Sequence, residues 1–289
     1  MSAATQSRSS VRPRIMPAQQ KIRELTQSAL SKANLDFAKL ERLYRESISE
    51  FAVEKKKRLS EAMKQSAALL NAFQSDLKIV QVRLDAIKEA APVNLTLLDV
   101  ATSITSDNLT LSATNMAHTN NQAEFDFNTD STGSADVKFS YQWTNNSDLF
   151  AVINLLGFIS FNGILTAGTD GSFWPIDTQH SHASLTAFLR VTNLQSGAVV
   201  AQGSSLFGPT LNVDTGGGWF GNPGAIDTEA VFRGLPPDLG ILTVAPQTGL
   251  QIDVVGQFSA DIDSGSADFN FQGDGRQVTS AGVIVSIVS

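Results

Sequence analysis

From Ala18 to Ala91 the chain contains neither glycine nor proline, and Pro17 and Pro92 bracket the stretch. Nothing in such a run interrupts an α-helix, so this feature constrains the fold more than any other. Pro17 suits a first helical turn, and Pro92 cannot continue the helix before it. Apolar side chains recur at Phe37, Leu40, Tyr44, Ile48, Phe51, Leu59, Ala62, Leu70, Phe73 and Leu77. With Lys55 and Ser66 filling the gaps, the spacing has an eleven-residue period, which winds a nearly straight or gently right-handed stripe. One continuous helix would be about 110 Å long and would need a partner for that stripe. The partner is either further copies of the chain, as a coiled coil, or the chain itself, folded back as a hairpin near Ser31–Asn34 or Lys55–Arg58. Phe37, Leu40, Ile48, Phe51, Leu59, Leu70, Phe73 and Leu77 are the candidate oligomerisation residues.

The remainder of the chain has a different chemistry. None of the 21 glycines precedes Gly133. Residues 1–90 hold 17 lysines and arginines against 10 acids, whereas residues 91–289 hold 4 basic residues (Lys138, Arg190, Arg233 and Arg276) against 18 acids. That split defines three expected parts: a basic, Ser/Arg-rich arm over 1–16, a helical stalk or hairpin over 17–91, and a second domain over 92–289. The arm has the composition of a disordered tail and lacks the apolar core of a secretory signal. The net charge of −7 argues against a nucleic-acid partner. The absence of cysteine excludes disulfides, thiolate metal sites and cysteine nucleophiles.

Residues 92–289 read as all-β. Short runs rich in Val, Ile, Thr and Phe alternate with Gly, Asn, Asp and Ser clusters, with strands expected at Asn94–Asp99, Gln122–Phe127, Ser134–Trp143, Ser184–Thr192, Ala198–Gly203, Ala230–Phe232, Gly249–Ser259, Ser266–Phe271 and Val278–Val288. The fold class expected for the whole chain is therefore α+β and multidomain: a long N-terminal helix or coiled-coil-like hairpin, then an antiparallel β-sandwich of jelly-roll type. One segment stands apart. Leu149–Gly168 carries no charge, and its length matches a membrane span. Asn162-Gly163 is a strong turn signal, so the segment is expected to be a buried hairpin. A second reading, in which it is covered in solution and enters a bilayer later, stays open.

Few residues carry recognisable chemistry. His180 and His182 alternate with Ser181, so on a strand both imidazoles share one face and are candidate transition-metal ligands. Asp261, Asp263 and Asp268 place carboxylates at spacings that could serve calcium, without matching the EF-hand pattern. Trp174, Trp219 and Phe220 sit among glycines and turns and form a candidate ligand platform. Asn94, Asn108 and Asn145 lie in glycosylation sequons. No cofactor is specified, and no nucleophile elbow or phosphate loop is present. The expectation is a non-enzymatic attachment or structural protein on the outside of a cell or particle. Its stalk would form a homo-oligomer, such as a trimer, and its β-head would bind a glycan or cell-surface receptor. The alternative is a pore-forming, toxin-like protein whose helices and apolar segment rearrange on a membrane.

Overall fold

The computed structural model describes residues 39, 42, 45–47, 49–65, 95–109, 116–117, 121–171, 178–215 and 224–287. The chain divides into two compact units, Met1–Glu50 and Phe51–Ser289. In the first, the described residues are helical, and Arg42 pairs with Glu46 one turn on at 3.8 Å, both exposed to solvent. The second opens within helix α1, whose continuous described run is 49–65.

Fifteen strands follow: β1 (Leu95–Leu98), β2 (Ser103–Asp107), β3 (Met116–Ala117), β4 (Gln122–Ala123), β5 (Phe125–Thr129), β6 (Gly133–Thr144), β7 (Ala151–Thr169), β8 (Gln179–Asn193), β9 (Val199–Gln202), β10 (Leu206–Thr215), β11 (Ile226–Leu235), β12 (Asp238–Val244), β13 (Gly249–Ile262), β14 (Gly265–Phe271) and β15 (Gln277–Ile287). They form two antiparallel sheets of nine and six strands among the described residues.

The first sheet is built on β7. On one side, β11 pairs with residues 159–168 of β7 and β12 with residues 151–156, as one long strand broken at Pro236-Pro237. Proline has no N–H for the ladder, so it is confined to edges and breaks of this kind. On the other side, β14 and β15 repeat the arrangement, broken by a turn at Gly273–Gly275. The second sheet runs β10, β8, β13, β6, β2, with β9 extending β10 along β8. Period-two alternation sends one side chain in two to the space between the sheets. There Phe258 packs against Phe125, Phe271, Phe269 and Phe161 at centroid separations of 4.8, 5.4, 5.8 and 5.9 Å.

The α+β, stalk-and-head fold class is corrected by this structure. The fold is a β-sandwich, and no long N-terminal coiled coil is present among the described residues. The stripe fails as a seam between copies, because basic residues on and beside it face the chain's own first sheet. Arg58 donates from Nη1 to the backbone carbonyl of Ile226 at 3.0 Å, and Lys55 lies within electrostatic reach of Asp268. Arg58 thus finds an acceptor on its own chain's first sheet, so α1 docks within the molecule. Leu59 remains 39% exposed, Phe51 is half-buried and Ala62 is the buried stripe residue. Phe37, Leu40, Ile48, Leu70, Phe73 and Leu77 lie outside the described residues, as does the 1–16 arm.

Leu149–Gly168 is also corrected. It forms no hairpin but the single 19-residue strand β7. Gly163 serves close packing rather than a turn: an added Cβ would collide with the Phe271 ring and come within 2.7 Å of the Asn270 carbonyl oxygen. The same holds at Gly157, against Leu189 at 2.8 Å. With β7 paired along both edges and its inward side chains buried, the pore-forming reading is not supported. No described helix is long and apolar enough to cross a membrane.

Candidate ligand-binding cleft

Along one open side of the sandwich, edge strand β10 of the second sheet lies beside edge strand β11 of the first. The pairing of β10 with β8 slips between Phe207 and Thr210. The slip contains Gly208-Pro209: Pro209 cannot donate to the ladder, and Gly208 allows close approach, since a Cβ there would lie 3.1 Å from that of Leu185. Phe207 is thereby left 75% exposed. Phe207, Gly208 and Pro209 form one wall of a cleft of about 340 Å³, and Glu229, Ala230, Phe232 and Arg233 form the other.

The charges in this cleft are uncommitted. Of the four basic residues after position 90, Lys138 pairs with Asp107, Arg190 lies 5.4 Å from the Phe188 ring centroid, and Arg276 reaches Asp274 at 3.6 Å and the Gly273 carbonyl at 3.1 Å. Arg233 has no ion-pair or hydrogen-bond partner among the described residues, and neither has Glu229; both are exposed. Even spacing along β11 puts these two side chains on one side of the strand, about 13 Å apart at the rise of an extended chain. An exposed ring, a free guanidinium and a free carboxylate therefore line one groove.

The other residues singled out from the sequence are dispersed. His180 and His182 lie on the outer face of the second sheet, half-buried. His182 is in register with Asp261 on β13, and the Nε2 of His180 stands 3.8 Å from the Oδ1 of Asp261. Asp263 follows at the end of β13, its N–H donating to the His180 carbonyl at 3.1 Å. Asp268 is on the outer face of the first sheet, so Asp261, Asp263 and Asp268 do not converge on one ion. Burial pushes the Asp268 carboxyl up to about 7, helped by a hydrogen bond with the neighbouring Asp126 carboxyl, while Lys55 and Arg276 pull it the other way. Asn145 is buried and donates to the carbonyls of Leu149 and Ala245 at 2.8 and 3.0 Å, which commits the amide of that sequon to the fold. Trp174, Trp219, Phe220 and Asn94 lie outside the described residues.

Sequence reasoning missed the cleft. β10 was not among the expected strands. The available signal was the scarcity of basic residues, which makes each of the four worth placing.

No protein-family model and no curated protein matches the chain. Among solved structures it is similar to a family 35 carbohydrate-binding module from Clostridium thermocellum (10% identity, 66% of this chain and 96% of that one, TM-score 0.21). It is also similar to the mannan-recognising carbohydrate-binding module TmCBM27 (9% identity, 70% and 91% covered, TM-score 0.25) and to a structure of infectious bursal disease virus (13% identity, 65% and 37% covered, TM-score 0.22). At these scores the likenesses carry no weight for the cleft, which stands on its own geometry.

Proposed function

We propose that this chain is a non-enzymatic binding protein that holds a hydroxyl-rich ligand, a glycan, in the cleft between β10 and β11. The observation that carries this reading is the placement of the partnerless Arg233 in the same groove as the exposed Phe207. A pyranose ring offers an apolar C–H face and a polar rim. Phe207 supplies a surface for the face, Arg233 supplies donors for ring and hydroxyl oxygens, and Glu229 accepts from hydroxyl groups. Small-ligand sites combine apolar walls with a few placed polar groups in this way. The protein would act as an attachment module where polysaccharide is displayed, on the outside of a cell or particle.

A screen of the full chain against immobilised neutral and acidic polysaccharides tests the reading, with Arg233→Ala run in parallel. The expected result is retention by at least one polysaccharide, weakened at least fivefold in the variant, since a hydrogen bond from a charged group is worth about 1.5–3 kcal/mol. Retention by none, or equal retention of both proteins, would contradict it.

A further inference from the structure

We infer that His180, His182 and Asp261 form a binding site for one zinc-class dication on the outer face of the second sheet, apart from the cleft. Two ligands on alternate residues of one strand, with a third in register on the neighbouring strand, give three donors that converge on one side of a sheet. His180 and His182 supply the first two from β8, and Asp261, the cross-strand partner of His182, supplies the third from β13.

The distances favour this geometry. Two nitrogen or oxygen ligands on a tetrahedral zinc lie about 3.4 Å apart, given bond lengths of about 2.0–2.2 Å. The Nε2 of His180 and the Oδ1 of Asp261 are already 3.8 Å apart, a few tenths of an ångström from that value. The α-carbons of His180 and His182 are separated by about 6.6 Å along the strand, a gap that two imidazoles close by leaning together. As they stand, no group of three or more His, Asp or Glu side chains among the described residues is placed to hold a metal ion. The His180 Nε2 and the Asp261 Oδ1, which also accepts from Thr132 Oγ1 at 3.0 Å, stand near each other, and the site requires His182 to turn its side chain toward the ion.

The surroundings suit a cation. Residues 91–289 carry 18 acids against 4 basic residues, a field that draws cations to the surface. On β10, Asp214 is the register partner of His180 and Asn212 that of His182, and both present acceptors for the ring N–H that a ligating imidazole leaves free. Two imidazoles with one carboxylate match zinc, nickel or cobalt rather than calcium, which takes six to eight oxygens.

Calorimetric titration of zinc chloride into the full chain, with cobalt(II) absorption as a second readout, tests the site. The expected result is one equivalent bound, visible cobalt bands of a four-coordinate site, and at least tenfold weaker binding in His180→Ala, His182→Ala and Asp261→Asn. Asp136→Asn, on the same face away from the histidines, is expected to bind like the parent. No binding at millimolar zinc would overturn the inference, as would binding that survives the double replacement His180→Ala/His182→Ala. Circular dichroism of each variant separates loss of a ligand from loss of the fold.

Discussion

Replacing Phe258 by alanine is expected to cost the sandwich about 3–5 kcal/mol, the usual range for deleting a buried aromatic ring. Phe258 is fully buried on β13 and packs against the rings of Phe125, Phe161, Phe269 and Phe271, which come from three other strands, β5, β7 and β14. Phe125, Phe161, Phe269 and Phe271 belong to the first sheet, so the ring at 258 couples the two layers directly. The four neighbouring rings are rigid, so a large part of the cavity should persist. For a domain of this size the melting temperature should fall by roughly 6–20 °C. Phe207→Ala, at an exposed position, should move it by no more than about 2 °C. Thermal unfolding of the two variants side by side checks the claim. Equal shifts would mean that the inter-sheet space is not organised around Phe258.

The second large effect is electrostatic. The Asp268 carboxyl, raised to about 7 by burial and by Asp126, binds its proton more tightly in the folded protein than in the unfolded chain. Its stabilising contribution is therefore fully present below pH 4 and is lost as pH rises through about 7. Over that window the parent protein should lose roughly 1–3 kcal/mol, less than full burial would give because the group is still partly wet. Asp268→Asn keeps a hydrogen-bonding side chain beside Asp126 without the second charge. Its stability should be nearly flat from pH 5 to pH 8 and should exceed the parent's at pH 8. Denaturant unfolding at the two pH values measures this. A parent protein that gains stability between pH 5 and pH 8, with Asp268→Asn following it, would show that the two carboxyls do not share a proton.

Much of the sandwich was legible because burial on one face writes itself as alternation. Ser134–Trp143 was expected where β6 runs from Gly133 to Thr144, and Gly249–Ser259 where β13 runs from Gly249 to Ile262. Two of the failures share one cause, which is that glycine and proline have two uses. At Asn162-Gly163 the glycine makes room for Phe271 and Asn270 inside a long strand, yet it reads as a hairpin tip. At Gly208-Pro209 an irregularity breaks the alternation of an edge strand, and with β10 not among the expected strands there was no second wall for the cleft. The helical stripe was real as a pattern, but a pattern does not say whose surface it meets. Arg58, expected as part of a possible hairpin break, instead bonds α1 to its own sheet, and Lys55, expected to fill a gap in the stripe, lies within electrostatic reach of Asp268. The pairing of His182 with Asp261 depends on cross-strand register between segments far apart in sequence, which alternation within one strand cannot reveal.

The central claim is that the β10–β11 cleft holds a glycan against Phe207. The most direct measurement is a calorimetric titration of an oligosaccharide from the polysaccharide that retains the parent protein, into parent and Phe207→Ala. Loss of a stacked ring is worth roughly 0.5–1.5 kcal/mol, so the variant should bind about 2- to 12-fold more weakly with its melting temperature essentially unchanged. Identical affinities for the two proteins would place the ligand elsewhere and contradict the account.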